Sequence, residues 1–132
     1  MAKTWKQKYD SKPHPDIKII EKDFWGQQAG DRMLIPTPKI IEDYLRNTEM
    51  GTPVDLIQMR KDLAGAHGAD FTCPMTTSIF LRIMAETQLE LHGTNAAEMA
   101  PFWRVVDLKS PLAKKLSCGI DFLKNQLESE QS

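Results

Sequence analysis

The stretch that decides the fold is PVDLIQMRKDLAGAHGADFTCPMTTSIFLRIMAETQLELH, Pro53 to His92. Leu56, Met59 and Leu63 recur at helical spacing and predict a helix over 53–67, which Gly68 ends by supplying a left-handed position. A short connection, Ala69 to Pro74, leads into a second helix predicted from Pro74 to His92 and stopped by Gly93. Two helices joined by a short turn are a unit shared by many DNA-binding proteins and by many others. On the wheel of the second helix, Thr76, Ile79, Phe80, Ile83, Thr87 and Leu91 share the side expected to face the core. Ser78, Arg82 and Ala85 fall on the opposite side, a small-residue strip with one cation. Small residues admit a flat or grooved partner, and an arginine stacks on or forks to a base; most surface helices, however, present such a face to water alone.

Upstream, Met33-Leu34-Ile35 precedes Pro36-Thr37-Pro38. Thr37 suits a helix cap with Pro38 in the first helical position, and Ile40, Ile41, Tyr44 and Leu45 continue at helical spacing to about Asn47. Residues 1–30 read as an irregular N-terminal arm with Pro13, Pro15, six lysines and a short apolar stretch at Ile17, Ile19 and Ile20. Trp5 and Trp25 are expected to pin the arm to the body over 31–132. Downstream, Phe102-Trp103-Arg104-Val105-Val106 is aromatic and β-branched and predicts a short buried strand. Lys109-Ser110-Pro111 then turns the chain, and Gly119 opens a last helix carrying Ile120, Phe122, Leu123 and Leu127, with a fraying tail from Ser129.

A chain of 132 residues with 41% hydrophobic and 27% charged residues is ordinary for one globular domain. No apolar run approaches a membrane span, and no apolar block follows the lysine-rich start as in a secretory signal, so the expected compartment is the cytoplasm. Two cysteines and three scattered histidines give neither a disulfide framework nor zinc-ligand spacing, so no metal or cofactor is expected. Net charge is −1, and between Met50 and Cys118 seven basic residues balance seven acidic ones. Composition therefore does not point to nucleic acid, whose binders usually carry a basic footprint.

Pro101-Phe102-Trp103-Arg104-Val105-Val106 nevertheless resembles the Pro-Cys-His-Arg-Val-[Val/Ile] signature of the alkylguanine-DNA alkyltransferases. It is closer to their cysteine-free relatives, the alkyltransferase-like proteins. Met33 to Pro38 resembles the entry to that family's domain, and Ala66 to Asp70 followed by Thr72 to Phe80 looks like a bacterial subgroup with a Pro-aromatic-Trp-Arg signature. The resemblance spans roughly Asp31 to Glu130. It implies a mostly α fold with a small β wing, a winged helix-turn-helix like the alkyltransferase C-terminal domain. The helix 75–90 would then read the minor groove through Thr77, Ser78 and Arg82. Phe102 and Trp103 would line a pocket for a flipped base.

Departures from the family pattern fix the expected chemistry. Phe102 stands where the acceptor cysteine would be, Trp103 where its histidine would be, and neither supplies a nucleophile or a base. Glu130, counted from Gly119, falls where the family's glutamate orients that histidine and, lacking it, is expected at the surface. Leu56 lies near the family's nucleotide-rotating tyrosine. Cys73 and Cys118 are the remaining thiols, and a helix N-terminus activates a thiol by lowering its pKa. No catalytic residue is expected. The chain reads as a non-enzymatic protein that binds double-stranded DNA and recognises an alkylated or flipped base. The alternative is a winged-helix interaction protein that docks a protein or small ligand. A positive strip around Ser78 and Arg82, fed by Lys61 or the N-terminal lysines, favours DNA; an acidic one favours a protein partner.

Overall fold

In the computed structural model, which describes residues 3–93 and 95–131, the N-terminal segment is ordered into a helix and a strand. Helix α1 (Trp5–Asp10) starts from a capping box: Thr4 accepts from the Gln7 amide, and the Gln7 side chain accepts from the Thr4 amide. Two further amides at its start, of Trp5 and Lys6, donate to the Glu90 carboxylate at 3.2 and 3.1 Å. Trp5 does pin this segment, half-buried; Trp25 does not, standing 63% exposed in a tight turn with a positive φ of 52°.

Strand β1 (Asp16–Ile19) pairs antiparallel with β2 (Arg32–Ile35), Ile17 opposite Leu34, so pairing joins the expected arm to the expected body. The turn Pro36-Thr37-Pro38 opens helix α2 (Pro38–Arg46) as its sequence indicates, Thr37 accepting from the Ile40 amide at 3.2 Å. Helix α3 (Leu56–Ala66) begins three residues later than the apolar spacing implies, because Asp55 caps it. Gly68 follows at φ +71°. Strand β3 (Phe71–Thr72) then pairs parallel with β2, completing a three-stranded sheet in the order β1-β2-β3.

Helix α4 (Pro74–His92) has the expected length, but its buried face is not the expected one. Thr77, Leu81, Met84, Ala85, Glu86, Thr87 and Gln88 are buried, whereas Ile79 is 54% and Leu91 53% exposed. The polar members are buried because each has a partner. The Glu86 carboxylate accepts from the Ser117 amide and hydroxyl, Gln88 accepts from the Ala100 amide and Arg46, and the Thr87 hydroxyl donates to the Ile83 carbonyl. Met59, Leu63, Leu81 and Met84 meet Leu34, Ile41 and Leu45 in one core.

Phe102–Arg104 is a 3-10 turn, not a strand. The Arg104 and Val105 amides donate to the Pro101 and Phe102 carbonyls, and the Arg104 carbonyl accepts from Val54, so the segment coils locally away from the sheet. The aromatic and β-branched residues that imply a strand are instead spent on filling the core. Ser110 caps a short helix, α5 (Pro111–Lys115), where a plain turn is expected. Helix α6 (Gly119–Gln131) includes Ser129 to Gln131 of the tail expected to fray, and Ser132 lies outside the described residues. The chain is therefore mostly helical with a small sheet. That sheet lies before and between the helices, not after the 102–106 segment. Among the described residues no helix is long and apolar enough to cross a membrane.

Candidate functional site

Helix α4, the segment 103–110 and the start of α3 enclose a groove of about 1250 Å³. Ser78, Ile79, Arg82 and Ile83 of α4 line it together with Trp103 to Ser110 and with Leu112 and Lys115 of α5. Val54 to Ile57, and Trp5 and Lys8 of α1, complete the lining. Much of the lining is aliphatic. The charges are uneven: Lys8, Arg82, Lys109 and Lys115 face Asp55 and Asp107.

Arg104 also borders the groove but is neutralised. Its Nε donates to both Glu130 oxygens at 2.6 and 2.9 Å, and its Nη1 donates to the Thr48 carbonyl and hydroxyl at 2.9 and 3.0 Å. The Trp103 indole N–H donates to Glu130 at 3.2 Å. Burial works to raise the Glu130 pKa, but hydrogen bonds from Arg104 and Trp103 and the Arg104 charge outweigh it and hold the carboxyl below its ordinary range. Glu130 is thus not the surface carboxylate expected from sequence. With its side chain 8% exposed, it fixes the orientation of two residues of the groove wall.

The residues expected to bind separate into two groups. Ser78 is exposed and Arg82 half-buried, both on the groove. Thr77 is not available: it is fully buried, and its hydroxyl donates to the Cys73 carbonyl at 2.6 Å, a back-bond within the first turn of α4. Trp103 lines the groove, but Phe102 does not. Phe102 is fully buried, its ring centre 5.3 Å from that of Trp103 and 6.3 Å from that of Phe122, so it is core and not pocket.

Neither thiol is placed for transfer. Cys73 is buried at the start of α4. Cys118 is half-buried, and burial followed by the neighbouring Glu86 charge pushes its pKa up to about 11, so near neutrality it is a thiol and not the thiolate that attacks. Among the described residues no group of three or more His, Cys, Asp or Glu side chains is placed to hold a metal ion.

Trp5, Lys109 and Lys115 are not binding residues on the sequence reading, and Lys8 enters it only as one of the N-terminal lysines that could feed a positive strip. Only Trp5 and Lys8 had a readable signal: Thr4 and Gln7 have the spacing of a capping box and announce the helix that carries them. The Lys8 ammonium lies 4.3 Å and the Arg82 guanidinium carbon 5.3 Å from the centre of the Trp5 ring. Arg82 Nε is buried and has no hydrogen-bond partner among the described residues. No family model matches the chain, and no curated protein or solved structure matches it either.

Proposed function

We propose that this chain is a non-enzymatic DNA-binding protein of the alkyltransferase-like type, which holds an altered or extruded base without transferring anything from it. The observation that carries this reading is the groove itself. It joins Ser78 and Arg82 of α4 to Trp103, residues more than twenty positions apart, in one partly cationic, apolar-lined recess. An extruded base needs such a recess, with an aromatic or apolar surface to replace its former stacking. The DNA backbone needs cations beside it, and Lys8, Arg82, Lys109 and Lys115 outnumber Asp55 and Asp107 there although the chain as a whole is nearly neutral.

A second feature supports the same reading. The resemblance puts a glutamate at 130 against residue 103, and the Trp103 indole does donate to Glu130. In this reading the family's carboxylate is retained with tryptophan in place of its histidine. Phe102, which stands where the resemblance puts the acceptor cysteine, is core, and Cys118 is held as a thiol.

Fluorescence anisotropy with matched duplexes, one containing an O6-alkylated guanine, at 50 and 200 mM salt, tests the proposal. Binding that weakens steeply with salt and favours the alkylated duplex is expected. Absence of salt-dependent binding to either duplex overturns it, and capture of a neutral apolar ligand would then fit the aliphatic lining better.

A further inference from the structure

Lys8 and Arg82 both lie over the ring of a single indole, Trp5, and among the described residues neither has a carboxylate partner within ion-pair distance. The ring quadrupole attracts each cation and helps to hold the ammonium and the guanidinium beside the same side chain. Arg82 Nε is buried with no acceptor, a state that native structures seldom leave without a use. The two carboxylates that follow Arg82 on α4 are engaged elsewhere: Glu86, one turn on, accepts from Ser117, and Glu90, two turns on, accepts from the Trp5 and Lys6 amides and so anchors α1.

We infer that α1 completes the nucleic-acid site: Lys8 and Arg82 form a two-cation clamp for backbone phosphate in the groove, with Trp5 as the residue that positions them. This rests on the DNA-binding reading above and adds the N-terminal helix to it. A phosphate fits because its anionic oxygens supply both the missing counter-charge and an acceptor for the guanidinium. Glu90 holds α1 against α4, and Trp5 and Lys8 line the same groove as Trp103.

The test is the salt dependence of duplex binding by the full-length chain, followed by anisotropy from 50 to 200 mM salt, for wild type and for Lys8→Met, Arg82→Met, Trp5→Leu and Lys124→Met. Removing one cation from a phosphate makes the plot of log K against log salt shallower by about 0.9. Lys8→Met and Arg82→Met are each expected to reduce the slope by about that amount, while Lys124→Met, which does not line the groove, leaves it unchanged. Trp5→Leu keeps both charges and an apolar side chain without the ring, and is expected to weaken binding about tenfold at 50 mM salt. Circular dichroism and thermal melting establish that each variant is folded. If Arg82→Met reduces the slope and Lys8→Met does not, with Trp5→Leu binding as wild type, α1 is no part of the site although the DNA reading survives. If wild type itself shows no salt-dependent binding, the DNA reading falls and the clamp falls with it.

Discussion

Removing the Glu130 carboxylate probes the groove wall and its energetics together. Arg104 and Glu130 have side chains 9% and 8% exposed, with Nε–Oε1 at 2.6 Å, and the Trp103 indole donates to the same carboxylate at 3.2 Å. Breaking a buried ion pair from one side costs about 3–5 kcal/mol, because the remaining charge stays buried without its partner. In Glu130→Ala the Arg104 Nη1 keeps both Thr48 oxygens, so the loss belongs at the lower end, about 3 kcal/mol at neutral pH. For a chain of this size, at about 2.1 cal/mol/K of unfolding entropy per residue, that lowers Tm by roughly 10 °C. The pH dependence has a definite sign. The Glu130 pKa is depressed in the folded state, so its contribution is fully present above the unfolded value near about 4.3 and is lost as pH falls through the folded value. Urea unfolding followed by circular dichroism between pH 3 and 7 therefore shows the gap between wild type and Glu130→Ala narrowing only below about pH 4. Replacing both partners with leucine restores most of the loss at pH 7, since no charge is then stranded. A deficit under about 1 kcal/mol at pH 7, or one that stays constant to pH 3, refutes the assignment of Glu130 as the buried counter-ion.

Other expectations follow from individual side chains. Arg82→Ala weakens binding to the alkylated duplex by about 1–3 kcal/mol, read by anisotropy, with unchanged melting. Phe102→Ala removes a fully buried ring and costs about 3–5 kcal/mol in urea unfolding. Phe102→Cys does not create a transferase, because the sulfur is placed in the core beside an indole that cannot accept its proton; intact-mass analysis after incubation with alkylated duplex shows no adduct. With its pKa near 11, Cys118 reacts with iodoacetamide at pH 7.5 at least tenfold more slowly in the folded protein than in urea, a ratio that partial burial enlarges.

What could be read from the sequence depended on whether the signal was local. Thr37 and Pro38 announce α2 because a cap and a first-turn proline act on amides one turn away. Gly68 and Gly93 mark helix ends for the same kind of reason, both at positive φ. Phe102 to Val106 misleads because strand propensity measures how side chains fit a pleated, half-buried surface. Here the same side chains are buried from a 3-10 turn, held by its own amide bonds and by the packing of Phe102 against Phe122, a contact distant in sequence.

The misjudged face of α4 carries the larger consequence. Apolar spacing places Ile79 and Leu91 inside and Ala85 outside, and it assumes that polar side chains seek water. Glu86 and Gln88 break that assumption because Ser117, Ala100 and Arg46, all distant in sequence, supply their hydrogen bonds. Turning the helix to bury them takes Thr77 out of reach of any partner but leaves Ser78 and Arg82 on an accessible side, with Ile79 beside them. Exposed Ile79 is thus part of an apolar groove wall, a placement that a core-facing stripe would have denied it. Trp103, held by Glu130, lines the same groove, and so does Trp5, on a helix that Glu90 of α4 itself secures. The polar residues that made α4 unreadable as an amphipathic stripe are therefore the ones that orient it. Their partners turn Ile79 and Leu91 outward and Ala85 inward, which sets Ile79 beside Arg82 on the groove.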